Sequence, residues 1–167
     1  DYSATDMRIK KRTSQYINTG VLLIDLAKWR DNNCRKECMD YASSHSDSIL
    51  FGDQCILNSV MDRNILLLDG AWNTFVLPHT KENQVSGARI LHFITKDKPW
   101  QTWYFSPAKK YYWRYLDCSP WSGALQEQPK TVDQALLYAR TLHLQGKHDE
   151  SNLVYENIIK SIKRSSQ

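Results

Sequence analysis

Tyr16-Ile17-Asn18-Thr19-Gly20-Val21-Leu22-Leu23-Ile24-Asp25-Leu26 is the stretch on which the reading of the fold turns. Asn18 and Gly20 bring turn chemistry, and Val21 to Leu26 is apolar apart from Asp25. A near-continuous apolar run entered through Asn and Gly reads as a strand buried on both faces. Strands of that kind belong to sheets covered by helices on either side, so the expected class is α/β.

Working outward, Asn33 is placed to cap a helix that carries Cys34, Cys38, Tyr41 and Ala42 on one face. A polar Ser/His/Asp loop leads to Asp53, which opens a second helix with Ile56, Leu57, Val60 and Met61 as its apolar stripe. Ile65 to Leu68 and Arg89 to Ile94 are two further strand candidates; Asn73, Pro78, Asn83 and Gly87 mark irregular chain between them. Upstream, residues 1–15 are polar, with a basic cluster at Arg8, Lys10, Lys11 and Arg12, and read as a loop or arm with a solvated surface ahead of a dedicated binding site.

Trp100 to Trp121 is dense in aromatic residues interleaved with Lys109, Lys110 and Arg114. Core packing is the first reading of such a segment, adhesion to a membrane surface the second and base stacking a distant third. Past Glu127, Thr131 and Gln134 form a capping box, and Leu136, Leu137, Ala139, Leu142 and Leu144 supply an apolar face. Gly146 stops that helix. Asp149 starts a partner packed through Val154, Tyr155, Ile158, Ile159 and Ile162, closed by a basic tail at Lys160, Lys163 and Arg164. This hairpin resembles one tetratricopeptide unit, and a single copy needs a neighbour to bury its faces. The expected organisation is therefore an α/β part over residues 1–125 and a helical hairpin extension over residues 126–167.

The 167 residues suit one domain, or a core with a small appendage. A net charge of +4 is too small to argue for nucleic acid. Cys34, Cys38, Cys55 and Cys118 contain no Cys-x-x-Cys and read as reduced core cysteines of a cytoplasmic protein. No segment has the length of a membrane-spanning helix and no signal peptide is visible. The chain starts at Asp1 without an initiator methionine, as expected of a fragment.

The residues that suggest chemistry are few, and each has a plainer reading. His92 ends a short apolar run and is followed by Lys96-Asp97-Lys98-Pro99-Trp100. A histidine there can reach a metal and a lysine six residues on can reach a phosphate, yet a lone histidine is more often a satisfied one. Asp53 reads first as a helix cap, and with Gln54 as a carboxylate and amide suited to sugar hydroxyls. Asn18 with Gly20 is turn chemistry, or polar recognition at a sheet edge. Gly-x-Ser-x-Gly, a P-loop and Asp-x-Asp are all absent from these residues.

Taken together, these segments resemble the second half of a family 8 glycosyltransferase. Tyr16 to Leu26 with Trp29-Arg30 resembles the family's F-N-S-G-V-L-L-I-N-L…W-R block. Gly52-Asp53-Gln54-Cys55-Ile56-Leu57-Asn58 resembles its D-Q-D-x-L-N helix start, and His92-Phe93 through Lys98-Pro99-Trp100 its H-F-x-G-x-x-K-P-W block. Trp72-Asn73 falls where the family commonly has a Trp-Asn pair. The resemblance covers roughly residues 14–121, with order and spacing preserved. The run Tyr111 to Ser119-Pro120-Trp121 is similar to the bacterial branch that adds glucose or galactose to the lipopolysaccharide core.

That resemblance implies the C-terminal half of a GT-A, Rossmann-like catalytic domain. It would transfer hexose from UDP-glucose or UDP-galactose to a glycan or glycolipid acceptor with retention, using a divalent metal (manganese, with magnesium the alternative). His92 would be this half's metal ligand. Lys98 would contact the diphosphate beside Thr95. Asn18, Thr19, Gly20, Asp53 and Gln54 would hold the donor sugar, with Asp53 and Gln54 at the reacting centre. Peripheral contact with an anionic inner-membrane surface is a further expectation, and nucleic acid is not an expected partner. Thr95 stands where the family usually has Gly, which puts close backbone approach to the phosphates in doubt. The half carrying Asp-x-Asp is not in these residues, so no UDP-sugar turnover is expected from them alone. The competing class is a non-catalytic, tetratricopeptide-like interaction module on a degenerate α/β scaffold.

Overall fold

The computed structural model describes residues 16–62 and 64–165. The expected basic arm at Arg8 to Arg12 lies outside them. The chain divides into two compact units, Asp1–Asp69 and Gly70–Gln167.

Three helices make up the first unit: α1 (Leu26–Asp31), α2 (Cys34–Ser44) and α3 (Asp53–Val60). The stretch that suggested a buried strand is not one. Residues 21–25 belong to no strand and have no ladder partner, and Leu22, Leu23, Ile24 and Leu26 are exposed, Leu23 by 85%. Asp25 ends the run by capping α1, its Oδ1 accepting from the N–H groups of Ala27 and Lys28 at 3.1 Å each. Periodicity reports an apolar run; a strand also needs a neighbour for its N–H and C=O groups, and none of the described residues supplies one. The same holds for Leu66 to Leu68, which are exposed coil.

Asn33 precedes α2, but not as a side-chain cap. It is left-handed, with φ 50, and its carbonyl takes the amides of Lys36 and Glu37. Nor does Asp53 cap α3. Gly52 holds that position at φ 52, and Asp53 is the first helical residue. The apolar stripe expected on α3 is only half-buried; the buried positions are Cys55 and Asn58.

In the second unit, β1 (Thr74–Val76) and β2 (Leu91–Phe93) pair in parallel, with Phe75 opposite His92. β2 lies inside the expected Arg89 to Ile94 strand, whereas β1 arises in chain read as irregular. Val76, Val85 and Ala108 form the core beneath the pair, packed by Leu91, Phe93 and Tyr111. The aromatic segment then supplies buried Trp103 and Tyr104 and the helix α4 (Lys109–Asp117). Phe93, Trp100, Tyr104, Tyr112 and Trp113 meet in tilted and edge-on ring contacts, the arrangement aromatic quadrupoles favour.

Helices α5 (Val132–Leu144) and α6 (His148–Ser165) form the hairpin. The capping box at Thr131 and Gln134 is present in both directions. Gly146 turns the chain at φ 77, a backbone angle that side chains resist. The helices approach closely where both Ala139 and Ser151 are buried, and Ser151 Oγ donates to the Ala139 carbonyl at 2.8 Å. α5 is tied to the rest of its unit by Thr141, whose Oγ1 donates to the Trp103 carbonyl at 3.0 Å. All four cysteines are free thiols; Cys34 and Cys55 are buried, Cys38 is half-buried, and Cys118, expected in the core, is exposed just beyond α4. No helix among the described residues is long and apolar enough to cross a membrane.

Candidate active site

The first unit gathers the polar residues around the start of α3. Asn18 makes the turn its sequence suggests, Oδ1 accepting from the Gly20 amide at 2.9 Å. Its Nδ2 donates to Gln54 Oε1 at 3.2 Å, and the Thr19 amide donates to the same oxygen at 3.3 Å. Gln54 Nε2 reaches the Tyr16 hydroxyl at 3.4 Å. Burial, ahead of any neighbour, pushes the Tyr16 phenol up to about 12, so it stays protonated. Thr19 Oγ1 donates to Asp53 Oδ2 at 3.3 Å, and Asp53 is exposed. Asn18, Thr19, Asp53 and Gln54 are therefore brought together, with Gly20 at their edge.

Asn58 holds this cluster, a role the sequence reading did not give it. Completely buried on α3, it accepts from the Ile17 amide and donates to the Ile17 carbonyl, both at 2.8 Å. It serves the chain at Ile17 as a neighbouring strand would, fixing the segment against α3 one residue before Asn18. The signal was its place one turn after Gln54, where an amide on a helix face reaches an unpaired backbone.

In the second unit β2 carries half-buried His92. Its Nδ1 lies 2.9 Å from Asn73 Oδ1, and the Phe75 ring meets it edge-on at 6.0 Å. Burial, and secondarily the positive charge of Lys98, lower the His92 pKa, so the ring is neutral at pH 7. The loop after β2 folds back until Lys98 Nζ donates to the Phe93 carbonyl at 2.7 Å. Thr95, in the middle of this loop, has φ 80. A β-branched residue there is strained, where a glycine would not be. Its hydroxyl touches the Asp97 carbonyl at 3.4 Å, and Asp97 in turn accepts from Trp103 Nε1 at 3.2 Å.

A neutral imidazole with one nitrogen already engaged fits a divalent cation as a single donor. The described residues gather no cluster of three His, Cys, Asp or Glu. They therefore offer one ligand of a set.

The basic segment divides in a way its sequence does not show. Lys109 Nζ is turned inward onto the carbonyls of Gln101 at 2.7 Å and Tyr104 at 3.4 Å, and burial brings its pKa down to about 8. Lys110 pairs with Glu82. Neither presents a free charge to a membrane, which leaves exposed Arg114, Tyr115 and Trp121 on that segment.

Comparison with known proteins identifies the family. The model of glycosyl transferase family 8 matches residues 3–104, which include every candidate residue above. Glycosyltransferase GlyF of Streptococcus pneumoniae is 32% identical over 112 residues, covering 63% of this chain and 28% of its own length. The lipopolysaccharide 1,2-glucosyltransferase of Escherichia coli K12 is 27% identical, covering 71% and 38%. The lipopolysaccharide 1,3-galactosyltransferase of Salmonella typhimurium is 28% identical, covering 85% and 44%. This chain thus spans less than half the length of these relatives. No solved structure matches it. The matched span and the three ordered blocks place the chain in glycosyl transferase family 8.

Proposed function

We propose that the chain is part of a hexosyltransferase that moves glucose or galactose from a UDP-sugar to a saccharide acceptor of the lipopolysaccharide-core kind, with retention, in a GT-A domain. The observation that carries this reading is the end of β2. A neutral histidine there is followed by a loop that returns a lysine amine to the next residue's carbonyl, 2.7 Å from Phe93 O. The names of the E. coli and Salmonella relatives support the substrate class.

The chemistry to be met is departure of a diphosphate from an anomeric carbon. A divalent cation, manganese or magnesium, would supply positive charge to the leaving group when bound, with His92 Nε2 as one of its donors. Lys98 adds a second positive charge, and a diphosphate oxygen would replace the Phe93 carbonyl as its acceptor. Asn18, Thr19, Gly20, Asp53 and Gln54 would hold the sugar. Gln54 Oε1 already accepts from Asn18 and Thr19, so a sugar hydroxyl donates to it only by displacing one of them, whereas Nε2, with one of its two hydrogens directed at Tyr16, has a second to offer. Asp53, exposed at the helix start, needs no such exchange to accept from a hydroxyl. The exposed apolar runs at Leu22 to Leu26 and Leu66 to Leu68 are surfaces for the remainder of a longer protein to cover.

The test is metal-dependent hydrolysis of UDP-glucose and UDP-galactose by the full-length protein. His92→Ala is expected to abolish it, and Lys98→Met to lower it with a raised KM for the donor. Unchanged turnover by His92→Ala would remove His92 from the site. Robust turnover by these 167 residues alone would show that they contain a complete site.

A further inference from the structure

His92 is gripped from two directions. Across the strand pair its partner is Phe75, whose ring lies at 79° to the imidazole with centroids 6.0 Å apart. On the other side Asn73 ends the short turn that precedes β1, and its Oδ1 lies 2.9 Å from His92 Nδ1. The turn itself is held by backbone. The amides of Arg89 and Ile90 donate to the Ala71 carbonyl at 2.8 and 3.1 Å, and the Thr74 amide donates to the Ile90 carbonyl at 3.0 Å. Asn73 is thus placed opposite His92 whatever its side chain.

An amide oxygen only accepts hydrogen bonds, so the ring nitrogen facing it must carry a hydrogen. In a neutral imidazole this leaves the other nitrogen as the lone-pair donor. We infer that Asn73 is a positioning residue that holds His92 in the Nδ1–H tautomer, with Nε2 as the ring's free lone pair. In water the Nε2–H form predominates, so a ligand using Nε2 would otherwise have to shift the tautomer before binding. Asn73 removes that cost. Its functional meaning rests on the proposed role of His92 as a metal donor; its geometry does not. Partners of this kind, bonded to the far nitrogen of a metal-binding histidine, typically change metal affinity by about 10- to 100-fold when removed.

The experiment uses full-length protein labelled with ¹⁵N-histidine, free of metal and at a pH where His92 is neutral. Long-range ¹H–¹⁵N correlations identify which ring nitrogen carries the hydrogen. Wild type and Asn73→Asp, which keeps an acceptor oxygen, should both show Nδ1–H. Asn73→Leu should move His92 largely to Nε2–H while the backbone spectrum stays dispersed. Titration with Mn²⁺ alone should then broaden the His92 signals at about tenfold or more higher concentration in Asn73→Leu than in wild type. An Nε2–H ring in the wild type, as a reversed Asn73 amide would give, overturns the inference. So does a tautomer unchanged in Asn73→Leu. If the tautomer follows Asn73 but Mn²⁺ leaves wild-type His92 untouched, the positioning role stands and the reading of His92 as a metal donor fails.

Discussion

Asn58 bonds both the amide and the carbonyl of Ile17, each at 2.8 Å, from a position with no solvent exposure. Removing its amide leaves two backbone groups without partners beside a buried site. Each costs about 1–3 kcal/mol, so Asn58→Leu should destabilise the first unit by roughly 2–6 kcal/mol. Amide hydrogen exchange is the direct measurement. Loss of protection at Ile17, with the Asn18 to Gln54 contacts loosening in turn, is expected. Undiminished protection at Ile17 would contradict the argument.

Thr95 takes φ 80 in the loop between His92 and Lys98. A left-handed conformation costs a residue with a Cβ about 1–2 kcal/mol, while the freedom of glycine in the unfolded chain returns part of that. Thr95→Gly should therefore raise stability by about 0.5–1 kcal/mol. Thr95→Val keeps the strain and loses the hydroxyl contact to Asp97, so it should not. Thermal unfolding of the two variants side by side decides between strain relief and a general effect of altering the loop.

Lys109 gives a pH dependence of known sign. Burial holds its pKa at about 8, below the ordinary 10.5, so between those values the unfolded chain binds more protons than the folded one. Stability contributed by this group must rise with pH across that window. The Tyr104 phenol, pushed up to about 12 by burial, works in the opposite direction above pH 10. The informative quantity is therefore the difference between wild type and Lys109→Met in urea unfolding. Wild type should gain on the variant between pH 7.5 and pH 10, and a constant difference would mean that the ammonium is not desolvated in the fold.

Thr141 and Ser151 bind the hairpin at its two faces, Thr141 to Trp103 and Ser151 to Ala139. Thr141→Val keeps the shape but leaves the Trp103 carbonyl without that donor, at a cost of about 1–2 kcal/mol. Ser151→Leu forces a large side chain between helices that meet at a buried alanine and should cost roughly 1–3 kcal/mol. Helix signal by circular dichroism on heating should fall earlier for both. If Thr141→Val shifts nothing, α5 is held to its unit by apolar packing instead.

Much of the candidate site was legible in the sequence because its residues are neighbours along the chain. Asn18 to Gly20 form one turn, Asp53 and Gln54 one helix start, and His92 to Lys98 one strand end. The capping box at Thr131 and Gln134 was legible for the same reason, as both partners lie within one helical turn. What sequence could not supply was each group's distant partner. Asn58 meets Ile17 across 41 positions and Asn73 meets His92 across 19. Lys109 is turned inward onto the carbonyls of Gln101 and Tyr104, partners its own neighbours in sequence do not indicate.

By itself, then, the sequence determined the family, the turn at Asn18 and the capping box at Thr131 and Gln134. These depend on residue type at short spacing. Only the tertiary structure decided that Val21 to Leu26 is not a strand, that β1 lies in chain without a strand pattern, and which nitrogen of His92 is engaged. A ladder or a tautomer is set by the group on the other side, and that group is brought near only by the folded chain.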